Sequence, residues 1–189
     1  MTPIRIRKYS WQLAPGHIRD IRQRVFVEEQ RVPPHLEWDA TDEIADHYLA
    51  VTTDNEPVAV ARLFSTLDET AHIGRMAVLP PWRGKGVGDA LLHHMVGDAG
   101  EQFNELRLSA QQHAIGFYQR AGFHVCSDLY DDAGIPHVDM RCLAPGLIAA
   151  CALFLTGSRR NGLATAAATL LPILMFMGFL VSQGLDPLP

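Results

Sequence analysis

The segment Arg83-Gly84-Lys85-Gly86-Val87-Gly88 has residue types and spacing suited to chemistry. It stands between a strand-like run, residues 71–79, and a helical run, residues 89–96. A glycine-rich turn that opens a helix presents unpaired backbone N–H groups and the positive end of the helix dipole. Together these make a seat for phosphate. A side chain at the glycines would hold a phosphate away from the backbone, and some turn positions need φ > 0. Arg83 and Lys85 add positive charge beside the seat. A Walker loop is excluded, because Lys85 is followed by Gly86 where a Ser or Thr is needed for the metal ion. A Rossmann fingerprint fits poorly: the spacing is G-x-G-x-G, and the next strand-like run, residues 105–109, ends without an acid for a ribose.

The pattern Arg83-x-x-Gly86-x-Gly88 between strand and helix resembles the acetyl-CoA pyrophosphate loop of the GNAT acyltransferases. Ala114-Ile115-Gly116-Phe117-Tyr118-Gln119-Arg120-Ala121-Gly122-Phe123 looks like the family's helix beside the cofactor, with its Gly-Phe entry into the next strand. Further segments resemble the ElaA-type branch: residues 24–30 (RVFVEEQ), Glu37-x-Asp39, Ala110-Gln111-x-His113, and Ile135-Pro136-His137. The resemblance covers residues 3–142, in the family's order.

The resemblance implies an acetyl-CoA-dependent N-acetyltransferase whose amine acceptor attacks directly within a ternary complex. Acyl transfer to an amine needs proton removal from the amine, stabilisation of the oxyanion and protonation of the leaving thiolate. By resemblance, the fourth strand bulges and splays from the fifth, so that backbone N–H groups of Met76, Ala77 and Val78 face the thioester and the pantetheine arm. Tyr118 matches the tyrosine near the cofactor sulfur, the general acid; its alternative role is an amphipathic core residue. For the base, Glu37 and Asp39 lie in an acidic loop that borders the acceptor site in this fold; for any single carboxylate there, a solvated loop residue is the favoured reading. His113 and His137 are also chemically eligible, since an imidazole titrates near neutral pH. Glu28, Glu29, Glu37, Asp39 and Asp42 would make the acceptor side acidic and weakly favour a cationic acceptor. Arg24 and Arg75 are expected to pair with these carboxylates. No metal-ligand spacing is present, and His93-His94 point apart on a helix.

Two other functions compete. Arg24-x-Phe26 with Glu37-Trp38-Asp39 and Asp42 is similar to the N-terminal half of the acyl-homoserine lactone synthases, which do not show the Arg-x-x-Gly-x-Gly loop. A non-catalytic acyl-CoA sensor or membrane adaptor that keeps the loop is the third reading.

The elements that must position these residues follow from periodicity. Residues 3–9 alternate apolar and basic and predict a strand; Ile18, Ile21, Val25 and Phe26 predict a helix over 17–30 with its arginines on the other face. Residues 31–46 read as a Pro-containing acidic loop. Residues 46–53 and 57–65 predict a hairpin around Asp54-Asn55-Glu56. With the later elements the order becomes βαβββαβαββ. Three successive strands without helices exclude a doubly wound parallel sheet and suit a mixed α/β sheet with helices on both faces, the GNAT acyl-CoA N-acyltransferase fold.

The 189 residues carry a formal net charge of −5, which argues against a nucleic-acid partner. Cys126, Cys142 and Cys151 form no CxxC and read as buried free thiols. No secretory signal opens the chain. Composition changes after Leu143, where the charges reduce to Arg159, Arg160 and Asp186. This divides the chain into an acetyltransferase domain, 1–142, and a hydrophobic extension, 143–189. Residues 163–181 are uncharged, and about 19 residues in a helix reach roughly 28 Å, close to the hydrocarbon thickness of a bilayer. The expectation is a C-terminal transmembrane helix. Arg159-Arg160 before it places the catalytic domain at the cytoplasmic face of the membrane. A homo-oligomer is compatible with the sequence.

Overall fold

The computed structural model describes residues 3–65, 70–100 and 102–143. The chain separates into two units, Met1–Gly146 and Leu147–Pro189, and the described residues belong to the first. The run 163–181 and Cys151 lie outside the described residues. No helix among those described is long and apolar enough to cross a membrane.

The strands are β1 (Ile4–Ser10), β2 (Asp46–Thr52), β3 (Pro57–Ser65), β4 (Thr70–Val78), β5 (Glu105–Gln111), β6 (His124–Val125), β7 (Tyr130–Asp132) and β8 (Ile135–Leu143). They form one sheet in the order β1-β2-β3-β4-β5-β8-β6, with β7 also paired to β8. Among the described strand pairs only β4 and β5 run parallel. The helices are α1 (Gly16–Arg22), α2 (Pro34–Glu37), α3 (Val87–Gly100) and α4 (Ile115–Arg120). The mixed α/β sheet expected from the element order is the fold observed.

Alternation along the strands feeds a core on each face of the sheet. On β2, Tyr48 and Ala50 join the cluster built around Leu91, Leu92 and Met95 of α3, while Leu49 and Val51 join Ile18, Ile21 and Val25. A fully buried leucine such as Leu91 contributes about 1.5–3 kcal/mol. β1, at the sheet edge, exposes Arg5 and Arg7 on alternate positions, as its sequence requires.

Several local features differ from expectation. α1 does not continue as a regular helix: Gln23–Glu29 is a π-helix, with the Gln30 N–H bonded to the Val25 carbonyl at 3.0 Å. Arg22 is not on the solvent face but in the buried stripe with Ile18, Ile21 and Val25, 1% exposed. The acidic loop, residues 31–46, is not without helical structure: it holds α2 and a 3-10 turn, Ala40–Glu43. Cys126 is exposed rather than buried, since the short β6 leaves its end uncovered; Cys142 is partly buried.

Candidate active site

β4 and β5 pair from Thr70↔Glu105 to Ile73↔Leu108, and there the ladder ends although both strands run on. At the same point β4 bulges. Val60 faces Ala77 and Arg62 faces Gly74, so Arg75 and Met76 together stand opposite Ala61. Arg75 has φ 49°, the left-handed region that glycine takes at the first position of a G1 bulge and that is unfavourable for a residue with a Cβ. The cleft opened by this split belongs to a cavity of about 1050 Å³. Met76, Ala77 and Val78 form one wall, and the loop glycines Gly84, Gly86 and Gly88 line it further along.

The glycine loop has the geometry a phosphate seat needs. Gly84 and Gly86 have φ 69° and 79°, and the Gly86 carbonyl accepts the Ala90 N–H at 3.0 Å, so α3 winds directly out of the loop. The N–H groups of the first helical turn then have no intrahelical partner. A Cβ on Gly88 would meet Phe117 at 3.5 Å and Val78 at 3.6 Å, which shows how closely α4 and β4 approach there. Val87 is buried in the core and fixes the helix start. The charges beside the seat are arranged differently from the simple expectation. Arg83 is held bidentately by Glu29, at 2.6 and 2.7 Å, and donates from Nε to the Val78 carbonyl at 2.9 Å. The guanidinium beside Glu29 holds that carboxyl below its ordinary value. Arg83 therefore ties the end of β4 to the π-helix. Lys85 is exposed, its Nζ 5.0 Å from the Trp82 ring centroid.

Tyr118 projects from α4 into the same cavity. Its hydroxyl donates to Met76 Sδ at 3.8 Å, a weak acceptor, and burial pushes the phenol up to about 12. His113 sits exposed in the 3-10 turn Gln112–Ala114 and also lines the cavity. Thus the glycine loop, Met76–Val78, Tyr118, His113 and Glu37 all meet at one cavity.

Glu37 meets it in an unexpected state. It is 1% exposed, with Arg22 Nε at 2.5 Å and Arg75 Nε at 3.0 Å. Burial pushes its carboxyl up, against the pull of Arg22 and Arg75. Asp42, 2% exposed, accepts from Arg22 at 2.7 Å and Arg62 at 2.8 Å. Burial raises the Asp42 carboxyl, but the two guanidiniums outweigh it and leave it below the ordinary range. Asp39 takes Arg62 and Arg75, which overcome its burial and hold it at about 2. Three carboxylates thus face three arginines, so the acceptor side does not carry the net acidity expected from the sequence. The network has a structural product. Arg75 Nη2 and Nε also donate to the carbonyls of Leu36 and Glu37, at 2.9 and 3.2 Å, which fixes the side chain of the left-handed bulge residue. Arg75 pairs as expected; Arg22 and Arg62 were missed. A sequence signal existed, since each interrupts an apolar pattern, Ile18-x-x-Ile21-Arg22-x-x-Val25 and Val60-Ala61-Arg62-Leu63.

Residues 18–144 match the profile of the acetyltransferase (GNAT) domain. The chain belongs to the GNAT acetyltransferase family. Within it, the ElaA-type branch is the one the sequence resembles: Escherichia coli ElaA is 35% identical over 126 residues, covering 64% of this chain and 81% of ElaA. The crystal structure of Escherichia coli ElaA superposes with a TM-score of 0.66 at 29% identity, over 74% of this chain and 99% of that one. A UPF0039 protein of Schizosaccharomyces pombe is 36% identical over 142 residues, 72% of this chain and 94% of its own. A Bacillus subtilis acetyltransferase solved in complex with CoA shares the fold, with a TM-score of 0.56 at 19% identity, covering 75% of this chain and 99% of that one. The molecule is therefore a GNAT-type acetyltransferase, and the cleft between β4 and β5 is its candidate active site.

Proposed function

We propose that this acetyltransferase uses acetyl-CoA and passes the acetyl group to an amine by direct attack in a ternary complex. The observation that carries the reading is the parting of β4 from β5 beside the glycine loop, with Tyr118 at the parting. In this reading the pyrophosphate sits on Gly84, Lys85 and Gly86 and the amides of Val87 and Gly88. The pantetheine arm lies along Met76, Ala77 and Val78, whose backbone donors meet the developing oxyanion. Arg83 acts by holding the loop to Glu29 and β4, and Lys85 supplies the free positive charge. CoA in a neighbour of the same fold supports the choice of donor.

Tyr118 meets the leaving sulfur. A phenol at about 12 stays protonated at neutral pH, as a donor must. Full proton transfer to a thiolate whose thiol titrates at about 8.5 would be uphill by about 3.5 units, roughly 5 kcal/mol. The hydroxyl therefore assists mainly as a hydrogen bond that strengthens as charge builds on sulfur, with the proton following. A hydrogen bond to a charged group is worth about 1.5–3 kcal/mol. Tyr118→Phe should accordingly lower kcat about 10- to 100-fold in thiol release from acetyl-CoA, with acetyl-CoA affinity kept. Unchanged kcat would remove this role. Glu37 contributes by holding Arg75 and thereby the bulge, and His113 stands where an acceptor enters.

The charge-free run 163–181, with Arg159-Arg160 before it, supports a membrane anchor that keeps the domain 1–142 at the cytoplasmic face. The full chain should then resist alkaline carbonate extraction from membranes. Complete extraction would contradict the anchor.

A further inference from the structure

The geometry points to His137 as the group that takes the proton from the acceptor amine, an assignment that rests on the acyl-transfer reading above. His137 lies on β8, in register with Gln111 of β5 on one side and Tyr130 of β7 on the other. It is 8% exposed and lines the same cavity as Met76 and Tyr118. Its Nδ1 is 2.8 Å from the Ile135 carbonyl oxygen. A carbonyl only accepts, so Nδ1 carries the hydrogen and Nε2 is left with its lone pair. Among the described residues Nε2 has no hydrogen-bond partner, and it is not among the sealed, unsatisfied nitrogens.

The ring is also held in place. It stacks on Tyr130, with 6.1 Å between centroids and 25° between planes. The Tyr130 hydroxyl is fixed in turn by Ser109 Oγ at 2.8 Å and Asp139 Oδ1 at 2.7 Å. The β7–β8 turn brings the imidazole to the cleft: Ala133 and Gly134 have φ 54° and 82°, and Gly134 N–H bonds to Asp131 Oδ1 at 3.0 Å. This is the two-residue turn with both central residues left-handed that suits a tight hairpin. A base oriented through its other nitrogen is the arrangement general-base catalysis needs.

The other eligible groups lack one of these properties. Glu37 is occupied by two guanidiniums, and His113 is exposed with no orienting hydrogen bond among the described residues. The imidazole stacks on Tyr130 of β7, whose hydroxyl bonds to Asp139 of β8, and the cavity it lines also holds Asp132 of β7 and His113. Most other charges on the cavity wall are paired, Glu37 with Arg75, Glu29 with Arg83 and Arg62 with Asp39; the wall also holds Asp89 of α3, Arg120 of α4 and His72 of β4, which stacks on Phe64.

The step balances as follows. The amine nitrogen bonds to the thioester carbon while its proton passes to His137 Nε2. The C–S bond breaks, and the CoA sulfur leaves as a thiolate that accepts a hydrogen bond from the Tyr118 hydroxyl. Solvent then takes the proton from the imidazolium and supplies one to the thiolate, so the products are the amide and free thiol.

The test compares the full chain with its His137→Gln variant, using thiol release from acetyl-CoA with a panel of primary amines, acetyl-CoA titration and a pH profile. The expected result is a kcat lower by about 10²–10³-fold, within the usual range for removing a general base. Acetyl-CoA affinity should be kept, and the acid limb of kcat/KM, present in the unsubstituted chain, should vanish. A variant within threefold of the unsubstituted kcat with the same acid limb overturns the assignment and leaves the acyl-transfer reading standing. An unsubstituted chain that binds acetyl-CoA but is accelerated by no amine overturns both. Imidazole ¹⁵N shifts need neither acceptor nor variant: a neutral His137 protonated at Nδ1 is expected, and one protonated at Nε2 contradicts it.

Discussion

Gly86→Glu is expected to weaken acetyl-CoA binding by at least about 100-fold, roughly 2.7 kcal/mol, while the chain still folds. Three effects act together at this residue. Its φ of 79° lies where a side chain is strained, at a cost of about 1–2 kcal/mol. The new side chain would occupy space over the seat, where Gly86 lines the cavity. Its carboxylate would face the pyrophosphate, opposing the helix dipole that favours an anion there. The strain alone lowers the melting temperature by only about 3–6 °C in a domain of this size. Calorimetric titration with acetyl-CoA, paired with a thermal melt, reads both effects. A folded variant that binds acetyl-CoA as the unsubstituted chain does would remove the loop from the binding site.

Asp42→Ala should be the most damaging single change to stability outside the apolar core. Asp42 lies between Arg22 and Arg62, themselves 1% and 5% exposed. Its removal leaves two buried guanidiniums with only Glu37 and Asp39 against them, alongside Arg75. Breaking a buried pair from one side costs about 3–5 kcal/mol, because an uncompensated buried charge remains. A fall in the melting temperature on the order of 10 °C follows. Loss of the bulge geometry should also lower kcat, since Arg75 is anchored in the same network. The network carries a pH signature. Asp39 and Asp42 have folded values below their unfolded 3.8, so the unfolded chain binds protons first as acid is added. Their stabilisation is complete above the unfolded value and fades as pH falls toward about 2. Glu37, raised by burial, works in the opposite sense over its own range. Chemical denaturation at pH 7 and between about pH 2 and 3.8 would show the effect. A variant as stable as the unsubstituted chain would mean that the six charged groups contribute no net stability.

Much of the site was legible because its determinants are local. The glycine loop announces its own backbone: only glycines adopt φ 69° and 79° at little cost, and the helix that follows is a continuous apolar pattern. The order of strands and helices followed from periodicity, whereas Tyr118 and the bulge in β4 followed from resemblance. Arg75 was readable as a partner of these carboxylates, but the places of Arg22 and Arg62 were not, because their partners are 15–23 residues away and only packing decides which face Arg22 takes. A helical stripe assigns Arg22 to the core as readily as to solvent, and the usual expectation for a charge is solvent. The pairing of Arg83 with Glu29 was hidden for the same reason, compounded by the π-helix, which adds a residue per turn that no periodicity reveals. The orientation of His137 depends on a single carbonyl two residues away. The sequence names the residue but not which nitrogen is left free.

The central claim is that acetyl-CoA occupies the split between β4 and β5 with its phosphates at the start of α3. Hydrogen–deuterium exchange of the full chain, with and without saturating acetyl-CoA, tests this most directly. Slowed exchange concentrated in peptides spanning residues 76–90 is the predicted result. Saturable binding that leaves those peptides unchanged and protects another region would contradict it.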